Sequence, residues 1–429
     1  MKFKVITFGC KVNTYESTYI EEKFIKEGYE EALNLSDADV IVVNTCSVTN
    51  TSDSKCKKYI RRIKRENPNA TLIACGCSVQ NNFEDYKSYG IDIIVGTSNK
   101  AMIPELYKDF LDTKKPIYMF DSNRKKAFEN MNLERFTKHT RAFVKIQDGC
   151  DNFCSYCCIP LVRGSIRSKD FNEAVDEINM LANNNHQEIV LVGIHTGSYN
   201  SNGKDLFDLI EEISKNDNIK RIRISSIEIT ELNDKFLNLL KTNEKIVSHM
   251  HIPLQAGSDN VLKLMNRKYD LKYFEEVIKK IRDIRPDINI TTDIIVGHPG
   301  ETDDDFNSTL EFSKKIKFGK IHVFPYSERA NTKAALMDNK VDEKTKKDRA
   351  EKLLRLSDIL EDEYESKFIG KTLNIITEEN HQGEIVGFTD NYIKVTLTNN
   401  DVNINELIKV KLENKKDGTI YASKVMEEK

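Results

Sequence analysis

Residues 142–157 read AFVKIQDGCDNFCSYC. The first six form an apolar-rich run of strand length. The rest puts Cys150, Cys154 and Cys157 on one tight loop, with Cys158 directly behind. A strand would therefore deliver three thiols at its carboxyl end. Three cysteines on a four-iron cluster leave one iron open for chemistry. The Cys-x2-Cys unit also suits a structural zinc site, which would need a fourth ligand such as His195 or Cys158. Working outward, five more apolar strand candidates follow, at 188–194, 221–226, 248–254, 289–297 and 321–326. Amphipathic helical patterns separate them, among them FNEAVDEINMLANN (171–184) and LFDLIEEISK (206–215). Repeated strand–helix units with right-handed crossovers close toward a barrel, and six units predict an open, partial one. Polar residues stand just after these strands: the cysteine loop, His195, Ser225-Ser226-x-Glu228, Gln255, Gly297–Glu301 and Ser327. They would crowd the carboxyl-terminal mouth, where such barrels do their chemistry. For Ser225, Ser226 and Asp293, capping and strand-end hydrogen bonding compete with cofactor binding.

The first 112 residues alternate in the same manner. KFKVITF (2–8) precedes a helical pattern from Asn13 to Gly28, and ADVIVVNT (38–45) one from about Asp53 to Glu66. ATLIAC (70–75) and IDIIVG (91–96) add two strands, which predicts a doubly wound parallel sheet. Ligands gather beyond the carboxyl ends of such strands. Cys10, Cys46 and either Cys75 or Cys77 stand at those ends, a second candidate metal site. Buried cysteines are also common core residues.

A polar stretch, 113–136, reads as a linker to a central domain at 137–366, which ends in a charged helix from about Asp342 to Phe368. From 367 to 429 short alternating strands predict a small five-stranded β-barrel, a fold used for RNA and for protein contacts. Its acidic and basic residues nearly balance, so shape and stacking, for example by Phe388 or Tyr392, would serve RNA there better than charge. The net charge of −3 over 429 residues announces no nucleic-acid binder. The exception is KCKKYIRRIKR (55–65), whose Lys58, Arg61, Arg62 and Arg65 share one helical face and form either an RNA contact near the Cys46 edge or a solvated surface. Nine cysteines, an odd number, and no signal-peptide core predict a cytoplasmic chain of reduced thiols, with no membrane span.

Taken together, the motifs carry a resemblance. GCDNFCSYC (149–157) resembles the cysteine loop of radical S-adenosylmethionine (SAM) enzymes. TFGCKVNTYES (7–17), VNTCSVTNTSDSK (43–55) and GCSVQ (76–80) resemble the amino-terminal motifs of the methylthiotransferases. SSIE (225–228), HIPLQAGSDNVLKLMNRKY (251–269), DIIVGHPGET (293–302) and HVFPYSERANT (322–332) resemble the core of that family, and the last domain its TRAM module. GCKVN and NTCSVTN are most similar to the MtaB type. Ala256, His298 and Glu328 depart from the usual Ser, Phe and Pro. Cys158 stands where an aliphatic residue is usual, and Cys75 where the residue is usually not a cysteine.

The resemblance implies two 4Fe-4S clusters. Cys150, Cys154 and Cys157 would hold the one that binds SAM, and Cys10, Cys46 and Cys77 an auxiliary one. Cys56, Cys75 and Cys158 would be bystanders. Ser225, Ser226, Glu228, Gln255 and Asp293 would contact SAM. Two SAM molecules per turnover would give a methyl group and a radical, and the product would be a methylthio group at C2 of threonylcarbamoyladenosine beside the tRNA anticodon. Implied partners are the tRNA anticodon loop and a low-potential electron donor such as flavodoxin or ferredoxin, with the chain a monomer. The alternatives are the MiaB type, acting on isopentenyladenosine, and the RimO type, acting on a ribosomal-protein aspartate. The latter usually shows Gly-Cys-Pro-Lys-Asn where this chain has Gly9-Cys10-Lys11-Val12-Asn13.

Overall fold

The computed structural model describes residues 1–47, 50–121, 124–136, 140–379, 383–398 and 402–425, so Val48 and Thr49 of the NTCSVTN motif lie outside the described residues. The first sheet comprises β1 (Lys2–Thr7), β2 (Glu30–Glu31), β3 (Val40–Thr45), β4 (Thr71–Gly76), β5 (Ile93–Val95) and β6 (Ile117–Met119). All six are parallel, in the order β2-β1-β3-β4-β5-β6. Every residue of β3 and β4 is buried, as expected of central parallel strands covered on both faces. The two edge strands, β2 and β6, escaped the sequence reading because two or three residues show no periodicity. Helices α1 (Lys11–Lys26), α2 (Asn50–Glu66), α3 (Cys77–Asn81) and α4 (Ile103–Thr113) connect and cover the sheet. Because β1, β3 and β4 are neighbours, Cys10, Cys46 and Cys77 leave the sheet side by side.

Six parallel strands follow in chain order: β7 (Ala142–Lys145), β8 (Glu188–Val192), β9 (Arg221–Ile224), β10 (His249–His251), β11 (Asn289–Val296) and β12 (Lys320–Pro325). They form two three-stranded sheets, β9-β8-β7 and β10-β11-β12. Backbone bonds from Ile222 and Val247 join the two, at 2.7 and 3.1 Å. Helices α5 (Phe171–Asn183), α6 (Leu206–Ile213), α7 (Asp234–Thr242), α8 (Leu271–Ile284) and α9 (Asp303–Ile316) pack outside, and α10 (Glu343–Ser366) covers β12. This is the open partial barrel expected from the pattern. Within the stretch read as a linker, Ile117–Met119 are β6, and Met131, Leu133 and Phe136 are buried in the barrel's outer core. That core also takes Tyr15 and Tyr19 from α1, and the Tyr15 hydroxyl donates to Glu177 Oε1 at 2.8 Å. The amino-terminal layer is thus clamped to the barrel.

The last domain closes as a five-stranded barrel, β13 (Thr372–Glu379), β14 (Ile385–Thr389), β15 (Lys394–Leu397), β16 (Leu407–Lys416) and β17 (Thr419–Lys424), in the order β13-β14-β15-β17-β16. It seats against the amino-terminal ends of the partial-barrel strands. Arg221 donates to the Phe388 and Asn374 carbonyls at 2.7 and 2.6 Å, Asn289 to the Asn391 carbonyl at 2.9 Å, and Arg141 to Glu378 at 3.0 Å. Among the described residues no helix is long and apolar enough to cross a membrane.

Candidate active site

The loop after β7 is anchored by its own backbone: Cys150 N–H donates to Gly164 O at 3.1 Å, and Cys157 N–H to Cys154 O at 3.0 Å. Two outside side chains reach its sulfurs. Arg267 Nη1 donates to Cys154 Sγ at 3.2 Å, while its Nη2 pairs with Glu228. His195 Nδ1 is 4.0 Å from Cys150 Sγ, and its Nε2 meets Glu231 Oε1 at 2.5 Å. Burial acts to lower the His195 pKa, but its bonds to Cys150 and Glu231 prevail and hold it up at about 10. Inside the loop, the Ser155 hydroxyl bonds to Nε2 of the fully buried His298 at 2.8 Å. Burial brings that imidazole down to about 4, so it braces the loop as a neutral group.

The second trio depends on two glycines. Gly9 and Gly76 both have positive φ, +105° and +104°. A Cβ on Gly9 would stand 2.5 Å from Cys46 Sγ, and one on Gly76 2.5 Å from Thr45 O, so only glycine permits the approach. Cys10 then stands at the N-cap of α1 and Cys77 is the first residue of α3. The fully buried Arg163 joins them: its Nε donates to Cys77 Sγ at 3.1 Å, and its Nη2 to Asn13 Oδ1 at 2.9 Å. Asn13 also holds the Phe8 and Thr45 carbonyls at 2.8 and 3.0 Å, tying the loops after β1 and β3 together. Cys75 is different. It sits within β4 among Phe3, Val5 and Ile73, and burial pushes its thiol up to about 12. Cys56 is buried in α2, and burial raises it to about 11. Cys158 Sγ faces Ser47 Oγ at 3.9 Å.

These donors suit iron–sulfur clusters. Thiolates are soft ligands, and the buried ion network behind Cys77 carries surplus positive charge. Lys100, Lys145, Arg163 and Arg167 there meet the carboxylates of Glu16 and Asp148. A third, Glu129, is close by with its pKa raised by burial. An anionic thiolate-bound cluster would balance that surplus. A single ion needs its ligands to converge on one point, and among the described residues no three His, Cys, Asp or Glu do so. A four-iron cluster takes each thiolate at a different iron. Of the fourth ligands the zinc alternative would need, Cys158 turns to Ser47, whereas His195 keeps Nδ1 toward Cys150 while Glu231 holds Nε2, the pairing common to metal-ligating histidines.

Beside Cys10 lies a cavity of about 630 Å³, lined by residues of all three domains. Gly9–Val12 enter it from the amino-terminal layer, and Tyr392 from the last barrel. Val12 packs on Val190 and Val192, which face into the partial barrel. A smaller cavity of about 200 Å³ adjoins Cys157 and includes Ser47, Gln255 and Tyr326. Asp293 and Phe324 line both.

Of the residues expected to contact SAM, Ser225, Ser226 and Asp293 line the large cavity, and Gln255 and Asp293 the small one. Gln255 holds a left-handed φ of +68°, costly for a residue with a Cβ. Glu228 lines neither; it is held by Arg267 beside Cys154. Lys58, Arg61, Arg62 and Arg65 are exposed, but they are not at the Cys46 edge. Helix α2 runs antiparallel to the strands, which carries Arg61 and Arg65 roughly 16–22 Å along the axis to the opposite edge. There Arg61 bonds the Tyr89 hydroxyl at 3.1 Å and Arg62 bonds Glu66 at 2.8 Å. Phe388 and Tyr392 are not open stacking platforms either. They stack on each other at 4.8 Å, Tyr392 stacks on His249 at 4.7 Å, and Arg141 and Arg223 lie over the Tyr392 ring. Sequence reasoning missed Arg163, Arg267, Arg141 and Arg223, because nothing in local spacing marks a buried arginine. Lys11, next to Cys10, was in plain view.

Residues 144–313 match the radical SAM superfamily, and residues 2–96 match a family described as uncharacterized protein family UPF0004. The threonylcarbamoyladenosine tRNA methylthiotransferase MtaB of Bacillus subtilis (strain 168) is 41% identical, over 95% of this chain and 92% of its own. The tRNA-2-methylthio-N(6)-dimethylallyladenosine synthase of Acetivibrio thermocellus is 35% identical, over 87% of this chain and 79% of its own. The fold is similar to that of the radical SAM methyltransferase TsrM from Kitasatospora setae, solved with cobalamin and a 4Fe-4S cluster. That match has a TM-score of 0.58 at 12% identity, over 78% of this chain and 77% of the other.

Proposed function

The chain belongs to the radical SAM methylthiotransferase family, and from that premise we propose that it converts N6-threonylcarbamoyladenosine beside the tRNA anticodon into its 2-methylthio derivative. The observation that carries the reading is the cavity into which Cys10 of one domain, Ser225, Ser226 and Asp293 of the next and Tyr392 of the last all project. In this reading residues 1–112 hold the auxiliary cluster on Cys10, Cys46 and Cys77. Residues 137–366 hold the SAM-binding cluster on Cys150, Cys154 and Cys157, and residues 367–429 close the far side against tRNA. Bound there, the clusters would supply reductive cleavage of SAM to a 5′-deoxyadenosyl radical and the sulfur to be methylated and inserted. Two SAM molecules would serve each turnover, and a flavodoxin or ferredoxin would deliver electrons to a monomeric, cytoplasmic enzyme.

The protein's own part is binding, orientation and exclusion of water. Arg267 fixes Cys154 and, through Glu228, the turn after β9. His298 and His195 fix Ser155 and Cys150. Ser225, Ser226, Gln255 and Asp293 supply the polar atoms that would seat SAM between the two cysteine trios. Val12, Val190 and Val192 give the cavity an apolar patch near Cys10. A base beside the anticodon lies in a loop and can be unstacked into such a space. The basic face of α2, far from the cavity, would meet phosphate elsewhere on the tRNA.

Purified, anaerobically reconstituted enzyme offered three substrates tests the proposal: tRNA with threonylcarbamoyladenosine, tRNA with isopentenyladenosine, and the ribosomal protein of the RimO type. Methylthiolation of the first alone is expected, and turnover of the protein alone would overturn the RNA reading.

A further inference from the structure

The proposed reaction, on which this inference rests, places in the large cavity an adenine whose N6 carries a threonylcarbamoyl group. The substituent ends in a carboxylate, whereas an isopentenyl group on the same nitrogen is neutral and apolar. C2 and C6 of adenine both adjoin N1, so a wall that presents C2 toward Cys10 also surrounds whatever N6 carries. That wall is positive. Lys11, Arg141, Arg223 and Lys320 line it, and Asp293 is the one carboxylate among its described lining residues. Most of these charges are matched: Arg141 by Glu378 at 3.0 Å, Lys320 by Glu361 at 2.7 Å, and Asp293 by His251 Nε2 at 3.2 Å.

Two groups keep unused hydrogen-bond donors, although Arg223 shares an ion pair with Glu188. Lys11 has no ion-pair or hydrogen-bond partner among the described residues. Arg223 is 3% exposed, and its Nε donates to Glu188 Oε1 at 2.8 Å. Its Nη1 and Nη2 are buried with no hydrogen-bond partner. Buried donors without acceptors are costly and rare. The Tyr392 ring, 4.5 Å from the guanidinium, covers its face but offers no in-plane acceptor. Two neighbours register the same positive field. Burial acts to raise the Tyr392 phenol, yet Arg141, Lys11 and Arg223 bring it below its usual value. Burial, Arg223 and other nearby cations hold His249 well below the usual imidazole range.

We propose that Lys11 and Arg223 form the seat for the carboxylate of the N6 substituent, and so set the preference for threonylcarbamoyladenosine over isopentenyladenosine. The guanidinium fork matches a carboxylate, and the Lys11 ammonium adds a second charge from the amino-terminal layer. A site built this way also rejects the analogue that lacks the acceptor, because the buried donors then stay unpaired.

The test uses the full-length, reconstituted chain and anticodon stem-loops carrying threonylcarbamoyladenosine, its methyl ester, or isopentenyladenosine. Binding by fluorescence anisotropy is read beside methylthiolation. Wild type should bind the acid about tenfold tighter than the ester, the worth of one charge-assisted hydrogen bond. In Lys11→Met the acid-to-ester ratio should fall toward one. Arg223→Gln should do the same, and if that buried change prevents folding, Lys11→Met carries the test alone. An unchanged ratio in Lys11→Met overturns the proposal. If wild type methylthiolates the threonylcarbamoyl loop but binds acid and ester alike, the substrate reading stands and this inference falls. If it turns over the isopentenyl loop only, both fall.

Discussion

Replacing Arg163 with Met tests how the amino-terminal layer is locked to the barrel. The guanidinium is fully buried and donates to Cys77 Sγ at 3.1 Å, Asn13 Oδ1 at 2.9 Å, Glu16 Oε1 at 3.0 Å and Asp148 Oδ1 at 3.1 Å. Met retains much of the volume and none of the bonds. Removing one partner of a buried ion pair costs about 3–5 kcal/mol where the other charge is left alone. Here neither carboxylate is orphaned: Glu16 keeps Lys145 at 2.8 Å and Lys100, and Asp148 keeps Lys145 at 2.8 Å and Arg167 at 3.0 Å. The loss should therefore fall at the lower end, about 3 kcal/mol, which is roughly a hundredfold in an opening equilibrium. A chain of three domains has no single unfolding free energy, so the measurement is native-state hydrogen exchange. Amides of α1 and of residues 142–148 should lose about two decades of protection, with the strands of the last barrel as an unchanged internal control. Equal protection in variant and wild type would refute the argument. Acid provides a second reading. Burial acts to raise the Glu16 pKa, but Arg163, Lys100 and Lys145 together hold it well below the usual carboxylate range. Its contribution is present above the unfolded carboxylate value and lost as pH falls through the folded one. Without Arg163 the folded value rises, so exchange in α1 should accelerate at a higher pH than in wild type.

Reconstituted protein should hold about eight irons, from two four-iron clusters. Cys77→Ala and Cys150→Ala should each lose about half of it, whereas Cys75→Ala and Cys158→Ala keep all; full iron in Cys77→Ala would show that the wrong thiol of the pair was chosen. The Cys10→Ala, Cys46→Ala, Cys77→Ala triple variant should still cleave SAM to 5′-deoxyadenosine under a reductant but form no methylthiolated tRNA, and normal methylthiolation would remove the second trio from the mechanism. Replacing Arg61, Arg62 and Arg65 with Ala should weaken tRNA binding and flatten its salt dependence by about one unit of slope per lost phosphate contact. An unchanged slope would leave that helix face as solvated surface.

Much of this molecule is written in short-range pattern. Continuous apolar runs such as VIVVNT and TLIACG, alternating with helical patterns, read as buried parallel strands, because both their faces demand cover. The loop from Cys150 to Cys157 and the glycines before Cys10 and Cys77 are local as well, since spacing and φ are settled within a few residues. Chain order alone therefore sufficed to expect three domains, an open six-stranded barrel and two cysteine trios. What the sequence could not determine is which distant side chains meet. Residue pattern left Cys75 and Cys77 open and only the family resemblance implied Cys77; in the fold one faces the sheet's core and the other Arg163, a choice made by where β4 ends. The basic face of α2 was legible as a face, but its position opposite the Cys46 edge follows from the antiparallel return of the helix. Arg163 and Arg223 carry no local signal, because a buried charge has meaning only through partners that the fold brings from elsewhere in the chain, and Tyr392, read as an RNA-stacking ring, is instead packed on Phe388 and His249.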